Sequence, residues 1–319
     1  MKKDKNRKEK TFPEVLELLA SENERFLLID LSGFSNISSH DLGLLRATWP
    51  NLSVARKIYL FEGLYLHAQE SYVADYSGMG FFGVEDPDPK VRRYALGLLF
   101  DCRMPSFIDL VLTLADKDPD FEVRQTAIEI LGQLMIDLEM EDLPLEAGRK
   151  ALRFLESLKN DPDRRIRWGA MEALAFANHA LVPEMVQAAL ASAEEAGVVS
   201  ALRAIQHTMQ KRWEDTVLEY LDHPNPSVQT EAINAAGLIP VRKARKVILK
   251  LLTEFDTLDN DVLCASILAI SQIGGGQVAE VIDELSEVYE DDEEMQELFD
   301  QAKDNLETAA FVRENFTDA

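Results

Sequence analysis

Few residues in this sequence have both the type and the spacing to do chemistry. Gly78-Met-Gly80-Phe-Phe-Gly83 has the G-x-G-x-x-G spacing that lets a backbone approach a pyrophosphate at the start of a helix. That use requires a buried strand before the glycines and a helix after them. Tyr72-Val-Ala-Asp-Tyr76 makes a poor strand, and Asp86-Pro-Asp-Pro89 interrupts a helix soon after Gly83, so the glycines read as an irregular first helix of a hairpin. Gly274-Gly-Gly276 reads as a turn between helices, and no G-x-x-x-x-G-K-S/T loop occurs. The histidines, His40, His67, His179, His207 and His223, show no H-x-x-x-H spacing and no cysteine-rich companion that would build a zinc site. No serine sits in a G-x-S-x-G elbow, and no carboxylate pair stands out from a background of solvated charge. The sequence predicts no catalytic residue, no metal and no cofactor.

Composition narrows the remaining classes. The 319 residues carry 57 acidic and 33 basic side chains, a formal net charge of -24, and 46% are apolar. This is enough for a large core and too much for a disordered chain. No window approaches the ~18 uninterrupted apolar residues of a spanning helix, so no membrane partner is expected. The first ten residues are basic, but Pro13, Glu14 and Glu17 interrupt any apolar segment behind them, which argues against a signal peptide. Two cysteines, Cys102 and Cys264, cannot form a disulfide framework and suit a reducing compartment. A cytoplasmic address is expected. Acidity disfavours nucleic acid as the main partner, because phosphate binding depends on Lys and Arg displacing counterions. The charge is uneven. Residues 280–319 hold 15 acids and two bases, whereas Arg242-Lys-Ala-Arg-Lys246 with Lys250 sets five bases within nine positions. The first run reads as a solubilising end, with docking of a basic partner as the alternative. The second reads as a solvated convex face, with an anionic partner as the alternative.

The elements that position these residues form a repeat. Asp86-Pro-Asp-Pro-Lys-Val-Arg92-Arg-Tyr-Ala95, Asp118-Pro-Asp-Phe-Glu-Val-Arg124-Gln-Thr-Ala127 and Asp161-Pro-Asp-Arg-Arg-Ile-Arg167-Trp-Gly-Ala170 are its clearest copies. Weaker copies put Ala201, Ala232 and Ser266 at the same small-residue position, with successive spacings of 32, 43, 31, 31 and 34 residues from Ala95 onward. A period in the thirties fits two helices and two turns, and the one long step marks an insertion over 135–144. Residues 105–115 space their apolar positions as a helix does, and Asp118-Pro119 stops it. An Asp at the turn can cap the following helix, over 123–135, and Pro fits its first turn. Strand signals are nearly absent, so the chain is expected to be all-α.

These copies resemble the HEAT repeat family, whose signature is an Asp-Pro turn followed by Val-Arg, then Ala, then Ala-Leu-Gly. The resemblance implies a right-handed α-solenoid of stacked helical hairpins, armadillo-like in class. It also implies a ladder in which the turn residues Asp86, Asp118 and Asp161 meet Arg92, Arg124 and Arg167 of neighbouring units. In the C-terminal half the Arg position holds Val198, Gln229 and Leu263, so apolar stacking is expected to dominate there. The arrangement is similar to bacterial HEAT-repeat proteins with an N-terminal cap. On this reading the chain divides into a basic, disordered tail over 1–11, a helical cap and degenerate first repeat over 12–82, a repeat array over 83–290 with an insertion near 135–148, and an acidic capping helix and tail over 291–319.

On a helical wheel centred on the small residue, the positions two before and two after it point outward. In HEAT arrays the second helices line the concave surface, so the resemblance implies that these rows face a groove. The earlier row is Arg93, Gln125, Trp168, Val199, Thr230 and Cys264, and the later one Gly97, Glu129, Glu172, Arg203, Asn234 and Leu268. Arg93, Gln125, Glu129, Trp168, Glu172, Arg203, Thr230 and Asn234 are the candidate protein-binding residues. Such a mixed surface suits a protein or peptide partner better than a nucleic-acid strand. Trp168 reads either as an interface anchor or as a cover for Leu138 or Leu143 of the insertion. The expected role is a non-catalytic interaction scaffold. The alternative is a HEAT-like enzyme or nucleic-acid-processing protein, resembling the chromophore lyases, iron-dependent hydroxylases or DNA glycosylases built on such helices. The groove carboxylates Glu129 and Glu172 disfavour the last of these, which needs a positive groove.

Overall fold

The computed structural model describes residues 10–21, 25, 27–71, 73–102, 104–139 and 145–316. The tail over 1–9, residues 140–144 of the expected insertion with Leu143, the side chain of Leu138 and residues 317–319 lie outside the described residues. Two compact units divide the chain, over 1–151 and 152–319. Among the described residues every regular element is helical, and no helix is long and apolar enough to cross a membrane.

The first unit contains α1 (Phe12–Ala20), α2 (Leu28–Leu31), α3 (Ser39–Thr48), α4 (Val54–Glu70), α5 (Ser77–Gly83), α6 (Pro89–Gly97), α7 (Pro105–Lys117) and α8 (Phe121–Glu139); the division falls within α9 (Leu145–Ser157). Here α5 packs on α6 and α7 on α8, while α4, α6 and α8 pack in succession. The second unit contains α10 (Arg164–Phe176), α11 (Val182–Ala191), α12 (Glu195–Thr208), α13 (Glu214–Tyr220), α14 (Pro226–Leu238), α15 (Arg245–Leu252), α16 (Asn260–Ile273), α17 (Val278–Val288) and α18 (Glu293–Phe316). Each odd helix from α11 to α17 packs on the even one after it, and α10, α12, α14, α16 and α18 follow one another. Both units are stacks of helical hairpins, and the chain is an all-α solenoid.

The repeated small residue explains the stacking. Ala95, Ala127, Ala170, Ala201, Ala232 and Ser266 are all fully buried, because anything larger would hold successive second helices apart. Val91, Val123 and Ile166 four residues earlier, and Leu99, Leu131 and Leu174 four residues later, fill the core on either side. Two of the G-x-G-x-x-G glycines, Gly80 and Gly83, likewise allow a close approach between helices. A Cβ on Gly80 would lie 3.0 Å from Ala95 O, and one on Gly83 would lie 2.8 Å from Ala95 Cβ, so α5 seats directly on α6. Gly274 and Gly275 have φ of 60° and 114° and form the turn between α16 and α17. The basic run begins with a 3-10 turn, Arg242–Ala244, and continues into α15.

The two turn aspartates divide their labour. The first accepts the N–H of the second: Asp86 from Asp88 at 2.8 Å, Asp118 from Asp120 at 2.9 Å and Asp161 from Asp163 at 2.8 Å. The cap belongs to the second, since Asp88 accepts from Lys90 N at 2.9 Å, Asp120 from Val123 N at 3.1 Å and Asp163 from Arg165 N at 3.0 Å. Ser192 and His223 hold the first position in later turns, accepting from Glu194 N at 3.3 Å and Asn225 N at 3.2 Å.

This frees the first aspartate for the ladder. Arg92 Nη1 donates to Asp86 O and Pro87 O of its own turn, both at 2.9 Å, while Nε and Nη2 grip the Asp118 carboxylate at 2.8 and 2.7 Å. That hydrogen bond, more than the charge beside it, raises the guanidinium's pKa. Asp86 is met instead by Trp49 Nε1, donating at 2.6 Å, and Lys57 Nζ at 3.6 Å. The C-terminal half keeps more polar links than its lost arginines suggest. Gln229 Nε2 donates to Leu221 O at 2.9 Å, and Arg203 and Gln206 both reach Glu231 at 2.7 Å.

Candidate functional site

The two outward rows are neither fully buried nor wholly free. Arg93, Gln125, Trp168, Glu172, Thr230 and Asn234 are half-buried, whereas Glu129 and Arg203 are exposed. The partial burial arises because each second helix is flanked by the next, and several row residues are bonded across that seam. Arg93 Nη1 meets Glu122 at 3.2 Å, Arg203 Nε meets Glu231 Oε1 at 2.7 Å, and Ser200 Oγ donates to Glu172. Tyr94 donates to Glu62 at 2.9 Å; burial first, and that bond second, raise its phenol pKa. Thus part of the candidate set ties helices together.

In the first unit, α4, α6 and α8 flank a trough of about 970 Å³. Tyr65 and Gln69 come from α4, Phe100, Asp101 and Met104 from the segment after α6, and Thr126, Glu129 and Ile130 from α8. Gly97 lies beneath the Tyr65 ring, where any Cβ would collide. A side bay of about 320 Å³ shares Tyr65, Gly97, Thr126 and Glu129 with the trough and adds Arg93, Tyr94, Glu122 and Gln125. Gln125 Nε2 donates to Glu129 Oε1 at 3.1 Å. At the trough's other end, Tyr76 donates to or accepts from His67 Nδ1 at 2.6 Å, and burial holds its phenol above the ordinary tyrosine range. Phe100 and Met104 are 42% and 49% exposed, so a partner would gain by covering them.

Trp168 borders a separate cavity of about 130 Å³ in the second unit, formed by the end of the 158–160 turn, α10, α11 and the turn before α12. A Cβ on Gly197 would lie 2.8 Å from Trp168 Cζ2, so α12 is the floor of the indole, while the Arg164 guanidinium stands 5.7 Å from the ring centroid.

The structure therefore brings Arg93, Gln125 and Glu129 together and sets Trp168 in a second cavity. Glu172 and Arg203 are bonded to the next second helix, and Thr230 and Asn234 line neither cavity. The wheel overlooked Tyr65, Phe100 and Met104. Their one signal in sequence is a pair of large apolar residues, Phe100 and Met104, in a short link ahead of Pro105. Among the described residues no group of three or more His, Cys, Asp or Glu could hold a metal ion.

The pattern of the HEAT repeats matches residues 83–175 and 214–298. No curated protein matches the chain. Among solved structures, YibA of Escherichia coli is 17% identical over 94% of this chain and 98% of its own, with a TM-score of 0.47. The CpcE–CpcF complex of phycocyanin lyase from Nostoc sp. PCC7120 is matched at 16% identity over 73% of this chain and 94% of that one, also at 0.47. An engineered protein is matched at 16% identity over 92% and 88%, at 0.40. With the repeat pattern matched over more than half of its length, and with stacked hairpins in both units, the chain belongs to the HEAT-repeat family.

Proposed function

We propose that this protein is a non-catalytic scaffold that holds a segment of a partner protein against the exposed face of its second helices. The observation that carries the reading is the trough of about 970 Å³ in the first unit, where the Tyr65, Phe100 and Met104 side chains stand beside Asp101 and Glu129. An open, mixed surface of rings and carboxylates suits side chains and backbone of a protein segment, with aromatic anchors at its centre. A non-catalytic role is supported by how the row residues are used. Arg93, Glu172 and Arg203 are engaged in bonds between successive helices, which fixes them as structure rather than leaving them to move protons.

The test is crosslinking in the native cell from a photoreactive residue placed at Gln69, an exposed position on the trough wall. One specific protein should be recovered. The double variant Tyr65→Ala, Phe100→Ala should lower that yield about tenfold or more, the effect of removing two interface anchors. Recovery of no specific protein, or an unchanged yield from the double variant, would overturn the proposal.

A further inference from the structure

Arg92 and Arg167 occupy equivalent positions, six residues after the first turn aspartate, and each begins its contacts in the same way. Arg167 Nη1 donates to Asp161 O at 2.6 Å and Pro162 O at 3.3 Å, as Arg92 Nη1 does to its own turn. The two then differ. The Nε and Nη2 edge of Arg92 is filled by Asp118 from the next turn. For Arg167 the next turn supplies Ser192, which keeps the aspartate's backbone bond to Glu194 N but has no carboxylate. Arg167 Nε and Nη2 donate to no group among the described residues. The turn at Ser192 lacks the ladder carboxylate, and the cavity beside Trp168 is lined by both Arg167 and Ser192.

The rest of the cavity suits what would fill that gap. Lys159 is exposed on its rim and forms no ion pair among the described residues. Arg164 is held by Glu194 at 2.7 Å, leaving three basic groups around one carboxylate in a chain of net charge -24. Trp168, pinned between Arg164 and Gly197, forms a rigid apolar wall. Met171 and Met185 form an adaptable one. A carboxylate meets an arginine edge through two parallel charge-assisted bonds, and an aliphatic neighbour would lie on the indole and the thioethers.

We infer that the cavity beside Trp168 binds an acidic peptide segment, in which an Asp or Glu side chain completes the Arg167 rung and an adjacent aliphatic side chain packs on Trp168. This deepens the scaffold reading by giving the chemistry of a partner segment, and it rests on that reading.

Fluorescence anisotropy on the full chain, with a fluorescein-labelled peptide of alternating Leu and Glu, tests it. The native chain should bind this peptide and not its Leu-Gln counterpart, and added salt should weaken binding. Ser192→Asp restores the ladder carboxylate from within, so it should raise the melting temperature while weakening the peptide about tenfold. Lys159→Glu, at an exposed position that forms no ion pair among the described residues, should weaken it about fivefold without moving the melting temperature. Equal binding of the Leu-Gln peptide, or native affinity in both variants, overturns the inference. Tyr65→Ala, Phe100→Ala should leave the peptide affinity unchanged. The crosslinking result and the peptide result can therefore fail separately.

Discussion

Arg92 illustrates how one side chain can serve two turns. Its Nη1 closes its own turn and its other edge closes the next, and both it and Asp118 are withdrawn from water. Replacing Arg92 by Met leaves the Asp118 carboxylate buried without its partner, for which we expect a loss of about 3 kcal/mol in urea denaturation. A loss below about 1 kcal/mol would place the pair with ordinary surface ion pairs. His207 behaves differently. It stacks on Phe176 with ring centroids 3.8 Å apart, and burial, opposed by Glu231, lowers its pKa below the ordinary 6.5. Between that lowered value and 6.5 the unfolded chain binds a proton that the folded chain refuses. Stability is therefore full above 6.5, falls as pH drops through this window, and levels off beneath it. Melting temperatures measured down to about pH 5 should show this slope in the native chain and lose it in His207→Gln. The same slope in both would assign it to another group.

At the scale of elements, close approach between second helices is the condition for everything else. Gly237 on α14 faces α16, and a Cβ there would lie 2.8 Å from Ala269 Cα. Because the obstacle is backbone, no rotamer change relieves it. Gly237→Ala should cost about 1 to 3 kcal/mol, read from thermal or urea unfolding, whereas no measurable change would show that the α14–α16 seam has slack. Why some of this was legible in the sequence follows from the same physics. The small residue recurs because every seam imposes the same steric limit, and the Asp-Pro turns recur because every second helix needs the same cap, so both show as a period. The trough does not repeat. Tyr65, Phe100, Met104 and Glu129 come from α4, a link and α8 in different registers, and one wheel cannot collect them. Ser192 was equally silent, since a serine in a turn is ordinary until the Arg92–Asp118 geometry shows which arginine edge it leaves unfilled. Lys57 and Trp49 were hidden as well, because they take over the ladder role with no arginine at all.

For the whole molecule, a repeat stack is stabilised by nearest neighbours, so damage should remain local. The acidic end shows how this works. Although α18 is heavily charged, Met295, Phe299 and Ala302 form a buried face, and Asn305 Nδ2 donates to Ser271 Oγ of α16 at 3.1 Å. One face of α18 is thus apolar and packed on its neighbours while the rest of the helix is charged. Phe299→Ala should cost about 3 to 4 kcal/mol. Hydrogen exchange should then quicken over α16, α17 and α18 while α4 and α6 keep their native protection; equal quickening in both units would mean that the chain unfolds as one cooperative body.

Trp49, standing where an arginine meets Asp118 in the next rung, also gives the protein an optical handle. The chain has three tryptophans, and Trp49, held on the Asp86 carboxylate, is the one that lies in the first unit, while Trp168 and Trp213 lie in the second. Opening of the first rung would wet that single indole and shift its emission to the red. With Phe at positions 168 and 213, the light that remains would follow the fate of the N-terminal stack alone, and comparing it with the melting of total helix by circular dichroism records the order in which the two units melt without attaching a dye.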